Sequence, residues 1–523
     1  MKRAIIGYTG FVGSNLLRFY KFDYFFNSKN INDIKNLEID ELYFAGLSAT
    51  KWYINKNPEE DIKTVNILID IIKTIKFKKI ILISTIDIYN NINDNNINED
   101  NIPDYINNHS YGKHRYIFEK FIMENFTDYN IIRLPAIFGL GLKKNIIYDL
   151  INNNQIENIS PYTSFQWYDI EWLKDDIGII IKNNIKICNL FTEPLDTIDI
   201  INIFNINHSL LKNKSEIKYN LGTKYSHFFG SDNNYIRNKN IILENIRIFI
   251  NFMKIDKTNL CVSNICIKYI SQFQFANILK LFGIKNIQIA PTTLINNWND
   301  IDKLDLNIFK NIDLNIYSFQ SITYGLNNLN IFTETKNNLI NHIKAVIDCA
   351  YKNNIKIIVF GCPKNRYLPE NIDDYENIFI NFFRELGDYC NNKHIKICLE
   401  PNSKKYNCNY LNLIREVGEI TKKINNDNIK MMIDIGNIIM ENDNLEDIYI
   451  YKDIIYNIDI SQENMKDFSV PHTLNLDFCN IIKNINYNKK INLEMLINNN
   501  ENELNILNKS LYNFINLYGN HCV

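Results

Sequence analysis

Two stretches of strand-like and helix-like runs divide the chain. From residue 1 to about 190, short apolar runs read as strands: RAIIG (3–7), ELYFAG (41–46), KIILIST (79–85), IIRLP (131–135) and ICNLF (187–191). KFDYFFNSKN (21–30) holds a further one. Helical patterns stand between most of them, for example SNLLRFYKF (14–22) and DIKTVNILIDIIKTI (61–75). Strand–helix–strand repetition predicts an α/β domain, a Rossmann-type doubly wound parallel sheet with helices on both faces. The pattern is less regular from 191 to about 252. That stretch is expected to complete the first domain, 1–252, as a substrate lobe.

A second series starts near residue 257. Eight runs read as strands: LCVSNICI (260–267), NIQIA (286–290), LNIYSF (314–319), IKIIVFG (355–361), IKICLE (395–400), KMMID (430–434), YNIDIS (456–461) and INLEML (491–496). Most gaps hold a helix, such as NNLINHIKAVIDCAYKN (337–353). Eight strands in residues 257–523 predict a (β/α)8 TIM barrel, whose functional residues gather at the C-terminal ends of the strands.

Composition narrows the function classes. The 523 residues are 46% hydrophobic and 22% charged, with a formal net charge of −2. That balance gives no basic face for nucleic acid. No apolar run reaches the ~18 residues of a membrane span. The first strand begins near residue 3, which leaves no room for a signal peptide, so a cytoplasmic protein is expected. The 10 Cys include no CxxC pair, and Cys188, Cys266 and Cys398 sit in apolar runs where thiols act as small hydrophobes. Asn-rich stretches such as NNINDNNINED (90–100) fall mostly between apolar runs, where Asn suits turns.

The first chemical constellation is GYTGFVG (7–13), between a strand and a helix. Gly7 permits a tight turn, Gly10 lets a pyrophosphate approach the backbone, and Gly13 lets the helix pack on the strand. The helix N-terminus then faces the phosphates. Behind it, in order, come ISTIDIY (83–89), SYGKHR (110–115) and IIRLPAIFGLG (131–141). With these motifs the first 250 or so residues resemble the extended short-chain dehydrogenase/reductase superfamily, the NAD-dependent epimerase/dehydratase group.

The resemblance implies NAD or NADP bound by Gly7, Gly10, Phe11, Val12 and Gly13, with Tyr111 and Arg115 also on the cofactor. It implies catalytic roles for Thr85, Tyr111 and Arg115. The family pattern Tyr-x-x-x-Lys places a lysine at 115, and this chain has Arg115. Arginine keeps a cation that favours phenolate, but its planar fork differs from an ammonium. Lys113 points elsewhere on a helix. Asp87 stands where an acid joins the acid/base work of the nucleotide-sugar dehydratases, and Ile86 replaces that acid's neighbour. The expected second strand ends in Asn27-Ser28-Lys29, which holds no carboxylate for a ribose and one cation, and this leans to NADP.

The second constellation is IKICLEPN (395–402), MMIDIGN (431–437), YNIDISQ (456–462) and INLEML (491–496). Glu400, Asp434, Asp459 and Glu494 end the last four strands and converge on one mouth. Such a set of acids is costly unless a cation neutralises it, and oxygen ligands suit Mg²⁺ or Mn²⁺. Together with SNICIKY (263–269), QIAPTTL (288–294), FGCPKNR (360–366) and LEPNSKKY (399–406), this half resembles the xylose isomerase-like barrels, the sugar-phosphate isomerase/epimerase superfamily.

That resemblance implies Glu400, Asp434, Asp459 and Glu494 as metal ligands, with Glu400 and Glu494 as the proton shuttle. A histidine is usual where Asp459 stands, and another often stands where Asn437 does. Gln288 takes the place of a carboxylate. Lys364, Arg366 and Asn402 are placed to bind a phosphate or sugar hydroxyls, or to line a solvated loop. His472 follows the seventh strand, in a loop.

The two constellations together imply a bifunctional carbohydrate enzyme acting on a small sugar or nucleotide sugar, with a homo-oligomer among the assemblies allowed. The alternative is an NAD(P)-binding sensor or structural module joined to a catalytic barrel. A metal-dependent DNA repair endonuclease shares the barrel fold but needs several histidine ligands. The chain has 8 His, none on a predicted barrel strand.

Overall fold

A computed structural model of the chain describes residues 1–204, 206 and 208–520. It divides into two compact units, Met1–Lys254 and Ile255–Val523.

The first unit is built on a six-stranded parallel sheet of β1 (Arg3–Ile6), β2 (Tyr24–Phe26), β3 (Glu38–Phe44), β4 (Lys76–Thr85), β5 (Tyr129–Leu134) and β8 (Ile187–Asn189). The order is β2-β1-β3-β4-β5-β8. Chain direction across the sheet therefore reverses between β1 and β3, the place where open α/β sheets bind ligands. The helix Pro58–Ile72 forms where Pro58 opens the first turn and Glu59, Glu60 and Asp61 follow it. Proline and acids both suit a helix N-terminus. Its Val65, Leu68, Ile71 and Ile72 pack with Leu42, Phe44, Ile80 and Leu82 of the sheet and Phe118 and Ile122 of the helix Ser110–Asn125.

A smaller sheet was not foreseen from the sequence. In it β6 (Ala136–Phe138) pairs parallel with β7 (Ser164–Asp169), which pairs antiparallel with β9 (Pro194–Asp196). Phe138, Trp167 and Leu195 of this sheet share a core with Ile246 and Phe249 of the helix Lys239–Met253.

The second unit is a closed barrel of eight parallel strands in chain order. They are β10 (Leu260–Ser263), β11 (Asn286–Ile289), β12 (Asn315–Phe319), β13 (Ile357–Phe360), β14 (Lys396–Leu399), β15 (Ile429–Asp434), β16 (Ile455–Ile460) and β17 (Ile491–Leu493). Leu260 opposite Ile491 and Val262 opposite Leu493 close the ring. All eight expected runs form strands. Most strand residues are buried, as helices on the outside require. Side chains alternate, so Lys396, Cys398 and Glu400 share one side, as do Lys430, Met432 and Asp434. That side faces the barrel interior: Cys398 and Met432 cluster with Ile357, Val359, Tyr317 and Tyr456. The side-chain amide of Asn492 on β17 also donates across the barrel to Gln288 Oε1 on β11 at 2.7 Å.

Candidate active sites in the two units

In the first unit the glycine turn lies at the C-terminal end of β1. A Cβ on Gly13 would stand 2.0 Å from the Gly7 carbonyl oxygen, so only glycine lets the helix Phe11–Phe19 approach the strand this closely. Gly10 differs. A Cβ there would meet only the Gly7 oxygen, at 3.3 Å, and otherwise open space. No side chain caps this helix. A backbone with room above Gly10 and an uncapped helix N-terminus fits a pyrophosphate. At the end of β2, Asn27 donates to Tyr8 Oη at 3.0 Å and accepts from the Lys29 amide at 2.8 Å.

Thr85 ends β4 and Tyr111 lies in the first turn of Ser110–Asn125. The structure brings them together: the Thr85 hydroxyl favours ionisation of the Tyr111 phenol, yet burial dominates and raises the phenol above its ordinary range. Arg115 is 2% exposed, with its guanidinium carbon 4.6 Å from the centroid of the Tyr111 ring. Its Nη1 donates to Asp61 Oδ2 at 2.7 Å, and its Nη2 to Asp61 Oδ1 and to the Ser48 carbonyl. His114 Nδ1 lies 2.8 Å from the same Asp61 oxygen that accepts from Nη1. Arg115 is therefore committed to a buried carboxylate, and its Nε alone has no partner.

Sequence reasoning missed Asp61 and also missed a second group. Lys51 Nζ donates to Asp87 Oδ1 at 2.7 Å and to Tyr219 Oη at 3.0 Å, and Tyr219 Oη donates to the same Asp87 oxygen at 2.8 Å. Asp87 is thus a paired carboxylate.

In the barrel, Glu400 follows β14, Asp434 ends β15, Asp459 lies in β16 and Glu494 follows β17. They share one mouth, and the charge of neighbouring acids raises Glu400, Asp459 and Glu494. Burial raises Glu400 and Glu494 well above the carboxylate range, and the other acids push each further up. Arg366 and Asn402 draw Glu400 partly back, and Gln320 does so for Glu494. Burial lifts Asp434 to about 6, against hydrogen bonds from Ser461 and the Gly436 and Asn437 amides. Burial and Asp434 lift Asp459 to about 7, against the side-chain amides of Asn457 and Asn492. Tyr406 also feels the cluster: burial, then Asp434, Glu494 and Glu400, raise its phenol to about 12.

The ligand set expected for Mg²⁺ or Mn²⁺ is not assembled. Among the described residues, no three or more His, Cys, Asp and Glu are arranged to hold a metal ion. Asp459 Oδ1 already accepts from Asn457 Nδ2 at 2.7 Å and Asn492 Nδ2 at 3.1 Å. Asp434 Oδ1 accepts from Ser461 and from the Gly436 amide at 3.0 Å.

The neighbouring residues divide. Arg366 is wholly buried and donates to the backbone carbonyls of Glu400 at 2.7 Å and Leu411 at 3.3 Å, so it shapes the loop and binds no phosphate. Lys364 is exposed, and so is His472 in its loop. Asn402 Oδ1, Asn437 Oδ1, Asn457 Oδ1, Asn492 Oδ1, Gln288 Nε2 and Ser318 Oγ are buried with no hydrogen-bond partner among the described residues. Buried polar atoms are nearly always satisfied, so this concentration in one barrel marks a place for a polar ligand.

No helix among the described residues is long and apolar enough to cross a membrane. No curated protein matches the sequence. Among solved structures, 3-keto-D-glucoside 4-epimerase from E. coli is similar at 14% identity, covering 49% of this chain and 99% of that one, with a TM-score of 0.40. D-psicose 3-epimerase from Clostridium cellulolyticum H10 is similar at 13% identity over 50% and 98% of the two chains, with a TM-score of 0.42. The NAD-dependent NDP-hexosamine 5,6-dehydratase TunA is similar at 14% identity over 48% and 96%, with a TM-score of 0.39. A family model described as xylose isomerase-like TIM barrel matches residues 220–508, a span that takes in all eight barrel strands. That is more than half of the sequence, and the chain belongs to the xylose isomerase-like TIM barrel family.

Proposed function

We propose that the barrel is a sugar or sugar-phosphate isomerase or epimerase, and that the first unit is an NAD(P)-dependent oxidoreductase acting on a sugar or nucleotide sugar. One observation carries the barrel reading: four carboxyl groups meet at one mouth, where the charge of neighbouring acids raises Glu400, Asp459 and Glu494, beside unpartnered amide groups. Carboxyls lifted toward neutral pH suit proton transfer. One of Glu400 and Glu494, as carboxylate, takes the proton from the carbon next to a carbonyl. The other, as carboxylic acid, returns a proton to the enediolate. The unpartnered Gln288 Nε2 is a donor for the oxygen on which charge develops.

In the first unit Gly7, Gly10, Phe11, Val12 and Gly13 would hold the dinucleotide, which supplies hydride transfer when bound. Tyr111, with Thr85 beside it, moves the proton of the sugar hydroxyl. Arg115, over the Tyr111 ring and bonded to Asp61, positions Tyr111. A second reading, a dinucleotide sensor, draws support from the bonds that hold Arg115 on Asp61.

Incubating the full chain with ketoses and their phosphates in D₂O, with and without Mn²⁺, tests the barrel. Deuterium is expected at the carbon next to the carbonyl, and none at any carbon in either condition contradicts the reading. Cofactor turnover in Tyr111→Phe separates the two readings of the first unit. The enzyme reading expects a loss, and turnover equal to wild type overturns it.

A further inference from the structure

The barrel interior is polarised along its length. On β14 and β15 the positions that carry Glu400 and Asp434 at the C-terminal end carry Lys396 and Lys430 at the other, with Cys398 and Met432 between. The apolar cluster around Cys398 and Met432 separates the two ends. Lys489 and Lys490, just before β17, join the lysines at the N-terminal rim.

Among the described residues none of these four lysines is in an ion pair. Lys396 Nζ donates to the Asp427 carbonyl and to Asn428 Oδ1, each at 3.0 Å. Lys489 Nζ donates to the Ile455 carbonyl at 3.1 Å, and Lys490 Nζ to the Thr258 carbonyl at 3.0 Å and Asn259 Oδ1 at 3.2 Å. Among the described residues Lys430 Nζ has no hydrogen-bond partner, and it lies 5.4 Å from the centroid of the Tyr456 ring. Lys489 Nζ lies 4.3 Å from the centroid of the same ring.

Tyr456 owes this place to a bulge. Pairing of β15 with β16 runs from Met431 opposite Ile455 to Met432 opposite Asn457, so Tyr456 is the extra residue. Bulges re-aim side chains in this way. Burial holds Lys430 and Lys489 below their ordinary range; Asp427 draws Lys430 partly back and Cys398 draws Lys489 partly back, and smaller effects of Lys396 on Lys430 and of Lys430 on Lys489 lower them further. Burial, then Asp459, push the Cys398 thiol up, and Lys489, Lys430 and Lys396 together draw it partly back. Asp427 and Asp453 oppose this field only from beyond ion-pair distance.

Two half-buried cations lie on one aromatic ring, and among the described residues neither has a carboxylate within ion-pair distance. We infer that the N-terminal mouth of the barrel is a binding site for a compact phosphate anion, free or esterified, distinct from the carboxyl mouth at the opposite end. Lys430 and Lys489 are its main contacts, and Lys396 adds field. The inference is independent of the proposed catalytic reading.

The test is calorimetric titration of the full chain with inorganic pyrophosphate at fixed ionic strength, repeated with fructose 6-phosphate to separate free from esterified phosphate. The same titrations are run on Lys430→Met and Lys489→Met. Saturable binding is expected in wild type, weakened about tenfold in each variant, the scale of one lost charged hydrogen bond. In anion-free buffer each variant should also melt higher than wild type, because repulsion is relieved. If Lys430→Met fails to fold, Lys430→Arg keeps the charge and should bind as wild type does. No saturable binding of either anion overturns the inference. So does binding of unchanged strength in both methionine variants, which would place the anion elsewhere, as on the glycine turn of the first unit.

Discussion

The two candidate sites treat charge in opposite ways. In the first unit the charged groups beside Tyr111 and Thr85 are paired within the chain: Arg115 with Asp61, and Lys51 with Asp87. At the barrel mouth four carboxyls face one another, and the groups bonded to Asp434 and Asp459 are amides and a hydroxyl. A compensated site is set before anything binds. An uncompensated one keeps its protons until a ligand or a reaction takes them. The first arrangement suits a rigid cradle and the second suits proton transfer.

The largest effect should come from breaking compensation in the first unit. Asp61→Ala leaves the guanidinium of Arg115 buried without a carboxylate. Losing one partner of a buried pair costs about 3–5 kcal/mol. Urea denaturation of the full chain should show the first unit unfolding earlier, and an unchanged midpoint would mean that Arg115 finds other partners.

The next effect falls on the barrel and on chemistry more than stability. A Cβ at Gly361 would stand 2.3 Å from Glu400 Oε2. The end of a long side chain can move aside, so Gly361→Ala should cost under about 1 kcal/mol of stability. Displacing a reacting group by about an ångström can cost on the order of 10²-fold in rate, and deuterium exchange in this variant should fall by that much. Exchange at the wild-type rate would remove Glu400 from the proton path.

A smaller effect is expected at the cradle. Gly10→Ala has space for its methyl and should fold normally. It should weaken NADPH binding roughly tenfold, because the methyl stands where the pyrophosphate approaches. Fluorescence titration measures this, and unchanged affinity would argue that the dinucleotide does not lie on this turn.

Much of the fold was legible because parallel strands buried on both faces are near-continuous apolar runs. The eight barrel strands and the six of the first sheet read that way. The acids at the ends of the last four strands were legible for the same reason, since a strand's end fixes where the next polar residue points. The partners were not. Asp61 and Arg115 are 54 residues apart, and Asp87 and Tyr219 are 132 apart. Only the packing of the helix Pro58–Ile72 against Ser110–Asn125 brings the first pair together. Arg366 sits in a loop where a phosphate ligand was a fair reading, but it is turned inward to the Glu400 carbonyl. The bulge that places Tyr456 has no signature in YNIDIS.

The contrast rests on the charge at the barrel mouth being uncompensated, and its most direct test is stability against pH in wild type and Glu494→Gln. Burial and the other acids raise Glu494 in the folded chain. Asp434 rises to about 6 and Asp459 to about 7. In the unfolded chain these groups titrate near about 4. The native state therefore holds protons that the unfolded state has released. Stability from this cluster is full below about pH 4 and falls as pH rises through about 7. Glu494→Gln removes one of the four charges, so its stability in urea should exceed that of wild type by a margin that grows from pH 5 to pH 8. A margin that stays constant, or a variant less stable than wild type at pH 8, would contradict the account.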